Sequence, residues 1–157
     1  MPPFFIKMTI AGLYRRVGSI KIEDLKNDAF ESVREKAEEL NREQLEKGLN
    51  AKGEQIGEYG GFYVDEREKK GLQTDYVDLK VTGKFHNSIY VKKEGEDVEI
   101  FSDDNAQKVQ SLLKGGNGVR KGGFGEEIFG LTNESKEITK EMARETIIDI
   151  VKEVTNL

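Results

Sequence analysis

His86 is the only histidine and the chain has no cysteine, so a metal site would have to be completed by carboxylates and a nucleophile would have to be a serine or threonine. The nearest acid, Asp78, stands at no helical or hairpin spacing from His86 that assures convergence, and Ser88 shares a face with His86 only in an extended segment. His86 is therefore expected to be a polar structural or interfacial residue. The stretch Lys114-Gly-Gly-Asn-Gly-Val-Arg-Lys-Gly-Gly-Phe-Gly125 has the glycines and the cations Arg120 and Lys121 that an anion-cradling loop would use. Its spacing fails, because the G-x-G-x-x-G pattern opened by Gly116 and Gly118 ends on Lys121 and no Lys-Ser or Lys-Thr pair follows. Asp103 and Asp104 are adjacent and should diverge, Glu126 and Glu127 lack a second pair, and Asp103–Lys108 lacks the alternation and glycine of a calcium loop. No catalytic residue, metal site or cofactor is expected, and the chain is read as non-enzymatic.

The elements that would carry these residues belong to a chain of 157 residues, 36% apolar and 35% charged, which suits one domain with a modest core and a heavily charged surface. The missing cysteines exclude disulfides, and no N-terminal apolar run resembles a secretory signal, so an intracellular site of synthesis is expected. No stretch approaches the roughly 20 apolar residues that span a bilayer, and no membrane partner is expected. A net charge of −5 opposes general attraction to nucleic acid.

The first 21 residues carry Lys7, Arg15, Arg16 and Lys21 without an acid and read as an N-terminal arm or edge strand. From Ile22 to about Lys47 the apolar positions Ile22, Leu25, Ala29, Phe30, Val33, Ala37 and Leu40 recur at three- and four-residue spacing, which predicts a long helix. Residues 48–75 read as a long glycine-punctuated loop suited to docking, with Asp65–Lys70 a solvated helical turn. Residues 88–102 predict a hairpin about Glu94–Asp97. Asp104 or Asn105 caps a short helix through Leu113, and residues 114–127 form a mobile glycine-rich loop. Thr132 or Asn133 opens a terminal helix whose stripe of Ile138, Met142, Thr146, Ile147, Ile150, Val151 and Val154 suits packing on a sheet. The expected fold is α+β: a small antiparallel sheet of three to five strands packed against a long N-terminal helix and a C-terminal helix, in one domain over 1–157.

The segment Asp78-Leu-Lys-Val-Thr-Gly-Lys-Phe-His-Asn-Ser-Ile-Tyr90 resembles the tail-completion, or neck, proteins of tailed bacteriophages, in which a leucine, a spacer, Thr-Gly, a bulky apolar residue and a serine introduce a sheet. Leu79, Thr82, Gly83, Phe85, Ser88 and Ile89 occupy those places here. The order of long helix, glycine-rich loop, motif, hairpin, loop and terminal helix also fits, as does Gly125–Asn133 before the last helix; the likeness covers about residues 22–155. Departing from many members, the chain has no proline- and histidine-containing turn near its glycine stretch. The resemblance implies a virion structural protein, one subunit of a homo-oligomeric ring joining the capsid-side portal or connector to the tail, close to packaged DNA and made in the bacterial host cytoplasm. Phe4, Phe5, Arg15 and Arg16 of the arm, Tyr59 and Phe62 of the long loop, and Arg120, Lys121 and Phe124 of the glycine loop are then the expected subunit or partner contacts. A different class, a cytoplasmic binding or regulatory module without enzymatic activity, is the alternative.

Overall fold

The computed structural model describes residues 10–95, 97–116 and 119–155. These residues form an α+β fold with six α-helices and one two-stranded antiparallel sheet. They divide into two compact units, one taking the described residues up to Val33 and from Lys140 onward, the other Arg34–Thr139.

The first unit holds α1 (Ile10–Val17), the opening of α2 (Ile22–Glu46) and the end of α6 (Asn133–Thr155). Where an arm or edge strand was expected, residues 10–17 are helical: Ile10, Leu13, Tyr14 and Val17 fall at helical spacing, and no β-branched run favours extension. Phe4 and Phe5 lie outside the described residues. The Gly18 amide donates to Tyr14 O at 2.9 Å and the Ser19 hydroxyl to Arg16 O at 2.6 Å, which ties off the last carbonyls of α1. Glu23 and Asp24 place acid at the positive end of α2. Near the end of α6, buried Thr155 returns its hydroxyl to Val151 O at 2.7 Å.

The second unit contains the rest of α2, then α3 (Gly61–Lys69), α4 (Lys84–Asn87), β1 (Ile89–Glu94), β2 (Asp97–Ser102), α5 (Ala106–Lys114), a 3-10 turn (Glu126–Ile128) and the start of α6. Its core gathers Leu45, Ile56, Val77, Phe85, Ile89 and Ile128, with Leu79, Ile100, Val109, Leu112, Phe124 and Phe129 packed around them. Thus the loop expected over 48–75 contains α3. Gly48 is required there: its φ is +71°, and a Cβ would lie 2.4 Å from the Tyr76 ring. The Asn50 side chain closes the following turn by accepting from the Lys52 and Glu54 amides.

The hairpin pairs Ile89 with Ser102 through Glu94 with Asp97, and Tyr90 stacks on Phe101 with centroids 5.7 Å apart. Only these two strands form among the described residues, against the three to five expected. The reason lies at the free edge of β1. There Ile89 O accepts from Arg42 Nη2 at 2.8 Å and the Val91 amide donates to Glu38 Oε1 at 3.1 Å, so side chains of α2 occupy groups that a third strand would need. On the stripe of α6, Ile138 and Ile147 are exposed.

Candidate functional site

The motif segment 78–90 is the structural centre of the second unit. Asp78, Phe85, His86 and Ile89 are buried along it, as is Val77 just before it. Gly83, at φ +78°, immediately precedes α4, and the Thr82 hydroxyl reaches the Lys84 amide at a long 3.4 Å. Leu79 takes the left-handed conformation at φ +55°, uncommon for a side chain of its size, and packs beside the core. Phe85 and Ile89 thereby enter the core one helical turn apart.

Beneath this segment lies a polar network that nothing in the sequence announced. Arg67, expected within a solvated charge run, is 1% exposed. Its Nη2 donates to both carboxylate oxygens of Asp78 at 3.1 Å, its Nε to Gln73 O at 2.8 Å and its Nη1 to Lys80 O at 2.9 Å, while the guanidinium lies 4.2 Å from the Tyr59 ring centroid. Asp78 also accepts from the Tyr59 hydroxyl at 2.7 Å, Gln73 Nε2 at 2.7 Å and the Lys80 amide at 2.8 Å. Burial pushes the Asp78 carboxyl up, but the bonds from Gln73, Lys80 and Tyr59 and the charge of Arg67 outweigh it and hold the group below its ordinary value. Burial, then the Asp78 bond, pushes the Tyr59 phenol up. The network fixes α3 and the chain on either side of Asp78 as one body.

His86 continues it. Its Nε2 lies 2.7 Å from Asp78 O, a carbonyl, so Nε2 carries the proton and donates. Nδ1 is buried without a hydrogen-bond partner, 3.9 Å from Glu46 Oε1, and Glu46 is engaged by Lys80. Burial pushes the imidazole pKa down, against the Asp78 carbonyl and the Glu46 charge, which favour the cation. Ser88 does not activate against this histidine: its hydroxyl donates to Phe85 O at 2.6 Å and meets the Ser102 hydroxyl at 2.7 Å. Among the described residues, no three His, Asp or Glu side chains converge as metal ligands.

On the outer side of the motif, Thr82, Lys84, Asn87 and Ser88 join Asp103, Asp104 and Asn105 to line an open groove of about 460 Å³. Asp104 is committed to Lys108 and to the Asn105 amide, and the Asn105 side chain caps α5 by accepting from the Lys108 amide at 3.1 Å. Thr82, Lys84, Asn87, Asp103 and Asn105 are the exposed polar groups of this groove.

In its described part the glycine loop makes backbone and side-chain contacts with α5 and within itself. The Phe124 amide donates to Leu112 O at 2.7 Å, and Gly123, at φ +65°, passes so close to α5 that a Cβ would lie 2.3 Å from Leu113 O. Arg120 donates from Nε to Gly123 O at 2.7 Å and sits 5.0 Å from the centroid of Phe124, which packs on the core. Arg120 and Lys121 are exposed on this turn. Of the other expected contacts, Phe62 is 84% exposed and Arg15 is exposed, whereas Arg16 is half-buried and Tyr59 turns its hydroxyl inward to Asp78.

Sequence reading also missed the anchors on α2. Asn41 Nδ2 donates to Ile128 O and Gly130 O, and Gln44 bridges Gly130 O and the Thr132 amide. Their signal was available, since Ala37, Leu40, Asn41, Gln44 and Leu45 continue one buried helical face. No family model, curated protein or solved structure matches this chain.

Proposed function

We propose that the chain is a structural subunit of the head-to-tail joining ring of a tailed bacteriophage, holding neighbouring protein chains. The carrying observation is the segment Asp78–Tyr90 in its setting. A Leu-x-x-Thr-Gly-x-Phe-x-x-Ser-Ile run lies between a long helix with a glycine-bearing excursion and a β-hairpin followed by a terminal helix. The rigid polar scaffold under that segment supports the same reading, because a ring subunit must transmit load between neighbours without yielding locally. So do the large apolar side chains left on the surface, among them Phe62, Tyr14 and Ile10, since side chains of this kind anchor protein interfaces. A ring arises when one surface of a subunit docks on a different surface of the next and the rotation closes.

Immunogold labelling of purified particles of the encoding phage tests the proposal. Label at the vertex between capsid and tail is the expected result. A protein found only in the host cytoplasm, in complex with a host protein, would instead establish the regulatory alternative.

A further inference from the structure

The hairpin has two edges, and described residues occupy one of them. The Asp103 amide donates to Ser88 O at 3.0 Å, one step beyond the Ile89–Ser102 pair. Peptide groups in an antiparallel ladder face the partner strand at every second residue. Tyr90, Lys92 and Glu94 therefore face Phe101, Glu99 and Asp97, while Ile89, Val91, Val98, Ile100 and Ser102 turn their amides and carbonyls outward. On β1 such outward groups meet Arg42 and Glu38. On β2 no described residue bonds to the outward amides and carbonyls of Val98, Ile100 and Ser102, and the Val98 side chain is 53% exposed. An open strand edge takes an extended segment as its next strand.

The edge also specifies that segment. Asp97, Glu99 and Phe101 share the face of Tyr90, and Val98 and Ile100 share the core-side face of buried Val91. A matching strand carries a cation against Glu99 and an aromatic ring against Phe101 on one face, and apolar side chains on the other. The sequence Phe4-Phe5-Ile6-Lys7-Met8-Thr9 has that alternation. Run antiparallel to β2, it sets Lys7 opposite Glu99 and Phe5 opposite Phe101, with Ile6 and Met8 opposite Ile100 and Val98. It contains no acid and β2 contains no cation, whereas a second β2 would double Asp97 and Glu99 without a countercharge.

We infer that residues 4–9 of one copy add to the outer edge of β2 of the next copy as a third antiparallel strand in that register. The inference rests on the proposed ring and names its contact. Arm and edge are different surfaces, so each copy gives one strand and receives one, as a closed ring requires. Main-chain hydrogen bonds supply the affinity, and the alternating side chains set the register.

Sedimentation velocity on two full-length proline variants tests it. Val98→Pro removes an outward amide and leaves the β1–β2 ladder intact, since proline is tolerated where the N–H points away from the sheet; this chain keeps its arm and loses its edge. Ile6→Pro keeps the edge and loses the arm. Circular dichroism verifies that each variant folds. The expected result is an oligomer for wild type, a monomer for each variant alone, and a one-to-one dimer with no larger species when the two are mixed, because only one contact can then form. Amide exchange read by mass spectrometry should show Val98 and Ile100 protected in wild type and open in Ile6→Pro, which decides the matter even if Val98→Pro does not fold. A wild-type monomer throughout the concentration range, folded variants that assemble like wild type, a mixture that stays monomeric, or amides at Val98 and Ile100 that exchange alike in wild type and Ile6→Pro would each overturn the contact. Particle labelling at the neck together with assembly that ignores both prolines would locate the failure in this contact, not in the proposed function.

Discussion

Replacing Arg67 by leucine removes the most heavily committed side chain in the second unit. The guanidinium supplies hydrogen bonds to Gln73 O, Lys80 O and both oxygens of Asp78. Its loss strands two carbonyls and leaves a buried carboxylate with only Tyr59, Gln73 and the Lys80 amide as donors. Removing one partner of a buried ion pair costs about 3–5 kcal/mol. For a chain of 157 residues, that corresponds to a fall in Tm on the order of 10 °C. Differential scanning calorimetry measures the melting shift, and urea unfolding followed by circular dichroism measures the free energy. Asp78→Leu should be similarly damaging, and the double variant should cost about 1–3 kcal/mol less than the two singles added together, because each single change leaves a charge uncompensated. A loss for Arg67→Leu below about 1 kcal/mol, the range of an exposed ion pair, would refute the view that this network braces the motif.

Two further perturbations probe the same body. His86 has a depressed folded pKa and an unfolded value of 6.5, so its stabilising contribution is present above pH 6.5 and is lost as pH falls through the folded value; Asp78, depressed from 3.8, adds a second loss at more acidic pH. Because His86 is the only histidine, His86→Phe should flatten the stability profile just below pH 6.5, and an unchanged slope in urea titrations across that window would contradict the assignment. Gly123→Ala should cost more than about 1 kcal/mol, since the new Cβ would meet the Leu113 carbonyl, whereas Gly53→Ala, at φ +78° with open space around it, should cost less; equal losses in thermal melts would remove the close crossing of the glycine loop and α5 as the reason for that glycine.

The long helices and the hairpin were legible because apolar spacing and a Glu-Gly-Glu-Asp turn write their periods directly into the chain, and α2, β1, β2 and α6 form where those periods place them. The motif was legible as a pattern, and both Phe85 and Ile89 lie in the core. The sheet was overcounted because strand number depends on what meets the β1 edge, and Arg42 and Glu38 do so from 47 and 53 residues away. The scaffold was hidden for a related reason. Asp65–Lys70 reads as solvated charge, and only the tertiary position of Asp78 turns Arg67 inward. Asn41 and Gln44 could have been found by extending the buried face of α2 past Leu40, but polar residues were left out of the apolar count. On α1, helical spacing was present in Ile10, Leu13, Tyr14 and Val17, and was obscured by the apolar opening from Phe4 onward.

The most direct test of the proposed role is the mass of the purified chain in solution, alone and mixed with a tailed-phage capsid connector protein, by light scattering coupled to size exclusion. The account predicts a ring-sized species or a stable connector-bound complex. A chain that remains monomeric at high concentration and elutes separately from the connector would contradict it.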